Sequence, residues 1–253
     1  MCDASATILF NLSNLVKIPV QMFSFKQFTI HQNRTAMKVC TDACVLGAYA
    51  DVGEAGRMLD IGTGTGLLAL MAAQRNPIAT IDAVEIDDAA FEQAGENAAA
   101  SPFANRVTSI HERIQNFDSE FLYDRILTNP PFYTNHLRSP DAAVNRALHT
   151  DDLSVEDLLA AVVRLMKPDG QWWVLLPPYE AGKLAELAQQ SGLWPFRRLS
   201  LRHHAQKFPF RVITGFSYNR GGVTDETLDI YETDGRTYTA NFRALLGDFY
   251  LIF

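Results

Sequence analysis

An asparagine, two prolines and a phenylalanine, Asn129-Pro130-Pro131-Phe132, terminate the apolar run Arg125-Ile126-Leu127-Thr128. Adjacent prolines remove two backbone donors and restrict the backbone angles, so neither a strand nor a helix continues through them. A rigid turn accounts for the prolines alone. The flanking residue types permit a more specific chemistry. The exocyclic amino group of an aromatic base is a weak nucleophile, because its lone pair is delocalised into the ring. The Asn129 side-chain carbonyl can accept one of its N–H bonds and the Pro130 backbone carbonyl the other. Together they would aim the lone pair at an electrophilic methyl and stabilise the positive charge developing on nitrogen. Phe132 offers a face on which the ring can stack. A neutral amide suffices, since the alkylated nitrogen becomes acidic only after transfer.

A second cluster, Asp60-Ile61-Gly62-Thr63-Gly64-Thr65-Gly66, closes the apolar run beginning at Arg57. Glycines let a backbone turn sharply and let a ligand approach where a Cβ would collide. A dinucleotide fingerprint would need glycine at position 67, but Leu67 stands there and Gly66 comes one residue early. The spacing suits a cofactor without phosphates better than a nicotinamide dinucleotide. Glu85 follows 19 residues after Gly66. A carboxylate there can take charge-assisted hydrogen bonds from a ribose diol, or it is an exposed acid at a strand end. Upstream, Lys38-Val39-Cys40-Thr41-Asp42-Ala43 could hold the charged end of an amino-acid moiety, although Thr41 or Asp42 serves equally well as a helix N-cap.

These groups need a scaffold that delivers strand ends to one place. From Arg57 onward the chain alternates strand-like and helical segments: RMLDIG, LLALMAAQR, TIDAVEID, DAAFEQAGENAAA, RVTSIHE and YDRILTN. LSVEDLLAAVVRLMK reads as an amphipathic helix started by Asp152 or Ser154 and stopped by Pro168-Asp169-Gly170. A strand, GQWWVLLP, and a helix, YEAGKLAELAQQSG, follow. Strands joined by helices imply an α/β fold with a parallel sheet wound on both faces. FRRLSLRHH and RVITGFSYN are separated by a few residues and predict an antiparallel hairpin at the sheet edge. A short helix, TANFRALLG, and the apolar tail FYLIF end the sequence.

The ordered set FSFKQF, MKVCTDACVLGAYA, DIGTGTGLLALMAAQR, IDAVEID, TNPPF and NFRALLGDFYLIF resembles the bacterial tRNA1(Val) adenine N6-methyltransferase family, over roughly residues 23–253. The resemblance implies a class I, Rossmann-like methyltransferase domain with a seven-stranded, mostly parallel sheet. It implies S-adenosylmethionine (SAM) as methyl donor and the adenosine 3′ of the anticodon of a valine tRNA as acceptor. Lys38, Thr41 and Asp42 would border the methionine end of the cofactor. Asp60, Gly62, Thr63, Gly64 and Gly66 would form its loop, Glu85 with Ile86 would hold its ribose, and Asn129 to Phe132 would hold the target adenine. Where the family often has an acid near the cofactor adenine, this chain has Arg113, followed by Ile114, so that contact would fall to backbone N–H groups or to Glu112.

The chain's 253 residues carry a net charge of −7, against the basic footprint usual for nucleic-acid binding. The charge is uneven: Arg197, Arg198, Arg202, Lys207, Arg211 and Arg220 lie in an acid-free stretch between Leu187 and Thr224. This is either a solvated face or an RNA contact, and the same choice applies to Arg138, Arg146 and His149 in the polar segment after Phe132. Three cysteines form no disulfide framework and offer too few ligands for structural zinc, so a cytoplasmic enzyme without metal is expected. No apolar run reaches the ~18 residues of a membrane span, and no obligatory protein partner is evident. Residues 1–22 read as a non-catalytic leader, with translation starting at Met22. Rival readings are a protein glutamine methyltransferase (which usually has tyrosine in place of Phe132), a DNA or rRNA adenine methyltransferase, a nicotinamide-dependent reductase and a non-catalytic RNA-binding module.

Overall fold

The computed structural model describes residues 22–35, 37–53, 56–130 and 153–253. An N-terminal hairpin, β1 (Met22–Ser24) and β2 (Thr29–His31), precedes helix α1 (Thr41–Tyr49). Then come β3 (Arg57–Ile61), α2 (Leu67–Arg75), β4 (Thr80–Glu85), α3 (Asp88–Ala99), β5 (Val107–His111) and β6 (Tyr123–Thr128). The remainder is α4 (Val155–Leu165), β7 (Met166–Leu176), α5 (Pro178–Gln190), β8 (Trp194–Arg202), β9 (Arg211–Ser217), β10 (Thr224–Asp229) and α6 (Ala240–Leu246).

The main sheet has the order β10-β8-β9-β7-β6-β3-β4-β5. From β7 to β5 every pairing is parallel, whereas β9 runs antiparallel to both β7 and β8. The C-terminal ends of β3, β4, β6 and β7 therefore share one rim with the β8–β9 turn. The expected hairpin is present, but β9 lies inside the sheet. The outer edge belongs to an eighth strand, β10, parallel to β8, where seven strands were expected. β10 reads Thr-Asp-Glu-Thr-Leu-Asp and buries only Leu228, so it carries little of the apolar alternation that marks a strand. Ion pairs to β8 attach it instead: Arg197 to Glu226 at 2.6 Å, Arg198 to Asp225 at 2.8 Å and Arg202 to Asp229 at 2.7 Å.

Burial on both faces follows from strand alternation. Trp172 and Trp173, consecutive on β7, are both fully buried but on opposite faces. Trp173 packs in a core with Val45, Leu70 and Phe242, and Trp172 in one with Ile126, Val162 and Leu184. Helix α4 starts where the Ser154 hydroxyl accepts the Asp157 N–H at 3.0 Å, and it buries Leu158, Leu159, Val162 and Leu165. It ends earlier than expected, at Leu165. Pro168-Asp169-Gly170 does not stop the helix but forms an irregular opening to β7, where the register jumps from Tyr123↔Met166 to Arg125↔Gln171. Proline lacks the donor that regular pairing would need there. Among the described residues, no helix is long and apolar enough to cross a membrane.

Candidate active site

The glycine loop after β3 bends over the end of the neighbouring strand β4. Gly62 and Thr63 both donate backbone N–H bonds to the Val84 carbonyl, at 2.9 and 3.1 Å. Gly62 and Gly64 adopt φ of +68° and +59°, and a Cβ built on either meets no atom within 4 Å. These positions suit glycine for conformational reasons, and the space beside them is open for a ligand.

Beneath the loop, Asp60 is 1% exposed. Its Oδ2 accepts the Thr63 hydroxyl at 2.5 Å and the Ala69 N–H at 3.2 Å, and its buried Oδ1 has no partner among the described residues. Burial, with a smaller contribution from the negative charge of Glu85, pushes the carboxyl up to about 7 against those two hydrogen bonds. The folded state then holds this proton more tightly than the unfolded chain does. The contribution of Asp60 to stability is therefore full below the ordinary carboxylate pKa and is lost as pH rises to about 7. Asp60→Asn is expected to remove that decline. Urea midpoints at about pH 5 and about pH 8 would test it, since an equal drop in both proteins assigns the slope to other groups.

Glu85, 8% exposed at the end of β4, bridges the loop to the next helix. Its Oε2 accepts the Gly64 N–H at 2.7 Å, and its Oε1 accepts the N–H groups of Ile86 and Asp87 at 2.9 and 3.0 Å. A carboxylate offers about four acceptor positions, so one remains. Glu85 is thus a buried loop clamp rather than an exposed strand-end acid. It would have to release a backbone donor to take both hydrogen bonds of a diol.

These elements wall a cleft of about 320 Å³, within the usual range for small-molecule sites. Of the residues expected around a cofactor, Lys38, Gly62, Thr63, Gly64 and Glu85 line it, as do Ile86, Arg113, Ile114 and Asn129. Four others do not. Gly66 is the N-cap of α2 and Asp60 lies under the loop. Thr41 hydrogen-bonds with Tyr250 near the C-terminus. Asp42 is buried and ion-paired with Arg211 at 3.0 Å. Neither Thr41 nor Asp42 caps α1, whose N-cap is Cys40. Cys44, one turn on, is a fully buried thiol whose pKa burial pushes up to about 12.

Sequence reasoning did not anticipate the wall that Arg34, Thr35 and Met37 form ahead of Lys38, or Leu153 near the start of α4. This first wall is built by side chain–backbone bonds. Gln32 Oε1 accepts the Val39 N–H at 2.7 Å, and the Lys38 ammonium donates to the carbonyls of Gln32 and Thr35. Asn97 on α3 ties β2 to the glycine loop, accepting from His31 N and donating to the carbonyls of His31 and Thr65, all at 2.9 Å. None of these bonds has a short-range sequence signature.

Asn129 follows directly on β6. The strand end is held by Thr128, whose buried hydroxyl accepts the Trp172 indole N–H at 3.1 Å. Pro131, Phe132, Arg138, Arg146 and His149 lie outside the described residues. In the basic stretch, Arg197, Arg198 and Arg202 are ion-paired with acids on β10 and Arg211 with Asp42 on α1, so much of its formal charge is compensated. Lys207 sits exposed in the β8–β9 turn, and Arg220 lies 4.5 Å over the Trp194 ring. Among the described residues no group of three His, Cys, Asp or Glu side chains could hold a metal ion.

A fold comparison matches an architecture of this kind. A crystal structure titled a predicted O-methyltransferase from Agrobacterium tumefaciens superposes with a TM-score of 0.62, covering 82% of this chain and 96% of that one at 17% identity. Precorrin-6y C5,15-methyltransferase from Geobacter metallireducens gives a TM-score of 0.50, with 74% and 93% covered at 18% identity. At these identities the likeness concerns the fold alone. In sequence, residues 43–180 match the methyltransferase small domain family. The tRNA1(Val) (adenine(37)-N6)-methyltransferase of Dyadobacter fermentans is 51% identical over 234 residues, covering 91% of this chain and 98% of that protein. The enzyme of the same name from Tolumonas auensis is 43% identical, with 90% and 96% covered. With the methyltransferase sheet, the glycine cradle and Asn129 opening on one cleft, the chain belongs to the tRNA1(Val) (adenine(37)-N6)-methyltransferase family, built on the methyltransferase small domain.

Proposed function

We propose that this chain transfers a methyl group from SAM to the exocyclic N6 of adenine 37, the nucleotide 3′ of the anticodon, in a valine tRNA, acting in the cytoplasm. The observation that carries this reading is the position of Asn129. In a member of this family, it stands at the end of β6 on the wall of the same cleft that Gly62, Gly64 and Glu85 line.

The residues present fit SAM. The glycine cradle leaves room for close backbone approach, Glu85 retains acceptor capacity, and Ile61, Val84 and Ile114 supply apolar walls. Bound SAM would supply an electrophilic sulfonium methyl. Glu85 would hold the ribose, Arg113 and Ile114 would flank the adenine, and the loop closed by Lys38 would border the amino-acid end. Asn129 and the Pro130 carbonyl would each accept one N–H of the target amine and so direct its lone pair. Phe132 would stack on the target ring. Reaching that position requires the adenine to leave its stack. Within the basic stretch, Lys207 is better placed for RNA phosphate than Arg197, Arg198, Arg202 and Arg211, which already have acidic partners.

The test is incubation with radiolabelled SAM and, separately, total tRNA, DNA and cell protein, followed by nucleoside mass spectrometry. N6-methyladenosine in valine tRNA is the expected product. Label in protein alone would transfer the chain to glutamine methylation, and label in DNA or rRNA would move the acceptor.

A further inference from the structure

We propose that Tyr179 and Phe208 form a base-stacking subsite for an unpaired nucleotide adjacent to the adenine that is methylated. The proposal rests on the tRNA reading above and adds to it a place for the substrate's neighbouring base.

Phe208 is 93% exposed and Tyr179 69%, the two most exposed large hydrophobic side chains among the described residues. The sheet topology places them on the same rim. β7 neighbours β6 in parallel and ends at Leu176, which is paired with Val212 of antiparallel β9. Tyr179 lies three residues beyond Leu176, and Phe208 three residues before Arg211, where β9 begins. Both therefore stand on the rim that carries Asn129. With strands about 4.8 Å apart, β9 lies about 10 Å from β6. Neither residue lines the cofactor cleft. The pair flanks the site where the adenine must enter without forming part of its pocket.

Local structure holds both outside. Pro177 and Pro178 cap and open α5, fixing the backbone immediately before Tyr179. This repeats the order of two prolines and an aromatic found after β6, at the end of the next parallel strand. In the β8–β9 turn, His203 stacks on Phe210 with centroids 4.4 Å apart and planes 6° from parallel. Backbone bonds from Lys207 N to His204 O and from Phe210 N to Leu201 O, both 2.9 Å, brace the same turn. Phe208 is thus the projecting residue of a braced turn.

The surrounding chemistry selects the partner. Lys207 precedes Phe208, His203 and His204 lie in the same turn, and no acid occurs between Leu187 and Thr224. An apolar protein surface would want a contiguous greasy patch. Isolated aromatic faces, Phe208 beside Lys207 and Tyr179 between Glu180 and the nearby Lys183, suit a single-stranded nucleic acid, whose bases stack without sequence demands and whose phosphates take the charge of Lys207.

The test uses full-length wild type, Phe208→Ala, Tyr179→Ala, the double variant and Phe208→Trp. The RNA probe is a stem-loop with the target adenine in its loop and 2-aminopurine at the adjacent position. Wild type should quench the 2-aminopurine fluorescence on binding, and the double variant should not. The KM for tRNA should rise roughly tenfold for each aromatic removed, with kcat and SAM affinity unchanged, and Phe208→Trp should restore it. Wild-type quenching and KM in a double variant of an enzyme that methylates tRNA would overturn the subsite and leave the tRNA reading standing. If that variant instead loses a cross-linked protein neighbour, the rim is a protein surface and the proposal fails. Absence of methyl transfer to tRNA by wild type would remove both.

Discussion

Asn129→Ala is expected to lower kcat for tRNA methylation by roughly 10²–10³-fold, the usual cost of removing one preorganised group that acts on developing charge. SAM affinity should barely change. Thr128, fully buried and bonded to the Trp172 indole, holds the end of β6, so the variant keeps its strand and loses only the amide. Without that acceptor the amine's lone pair stays delocalised and is no longer aimed. Single-turnover kinetics with saturating SAM and tRNA would measure the loss, and calorimetric titration of SAM would measure affinity. Because Asn129 also lines the cleft, the alternative is specific: a comparable fall in SAM affinity would make it part of the cofactor wall and remove the aiming role.

Glu85→Ala should have the second largest effect, and on a different quantity. Losing a charged partner for the ribose should raise the SAM dissociation constant roughly tenfold to a hundredfold, because hydrogen bonds to charged groups contribute about 1.5–3 kcal/mol each. The same carboxylate accepts the N–H groups of Gly64, Ile86 and Asp87. The apo variant should therefore also lose about 1–3 kcal/mol of folding stability, measurable by urea unfolding. Unequal outcomes separate the two duties of the residue. Lower stability with unchanged SAM binding would leave Glu85 as a loop clamp only. Weaker SAM binding with unchanged stability would mean that water replaces it at the backbone.

Much of the alternation of strands and helices was legible in the chain, because amphipathic periods and glycine or proline stops are local signals. Leu67–Arg75, Asp88–Ala99, Val107–His111 and Tyr123–Thr128 form the expected elements. Apolar runs ending in Gly62 and in Asn129 also placed the two chemical motifs at strand ends. The missing eighth strand has a physical reason: Thr224–Asp229 is an edge strand held by cross-strand charge, which leaves almost no hydrophobic pattern. The same pairing undid the impression of a free basic stretch. Arg197, Arg198 and Arg202 look unopposed in a window of local sequence, yet their carboxylates arrive 27 to 29 residues later on β10. Asp42 reads in isolation as a helix cap or a cofactor ligand, and only folding shows it buried against Arg211, from a strand far along the chain. The residue types and spacings by themselves determined which chemistry the chain can perform. Tertiary structure decided which charges remain available and which walls close the cleft. Cross-strand ion pairs, the Asn97 brace and exposed rims depend on contacts between distant segments, and these leave no periodic trace in the sequence.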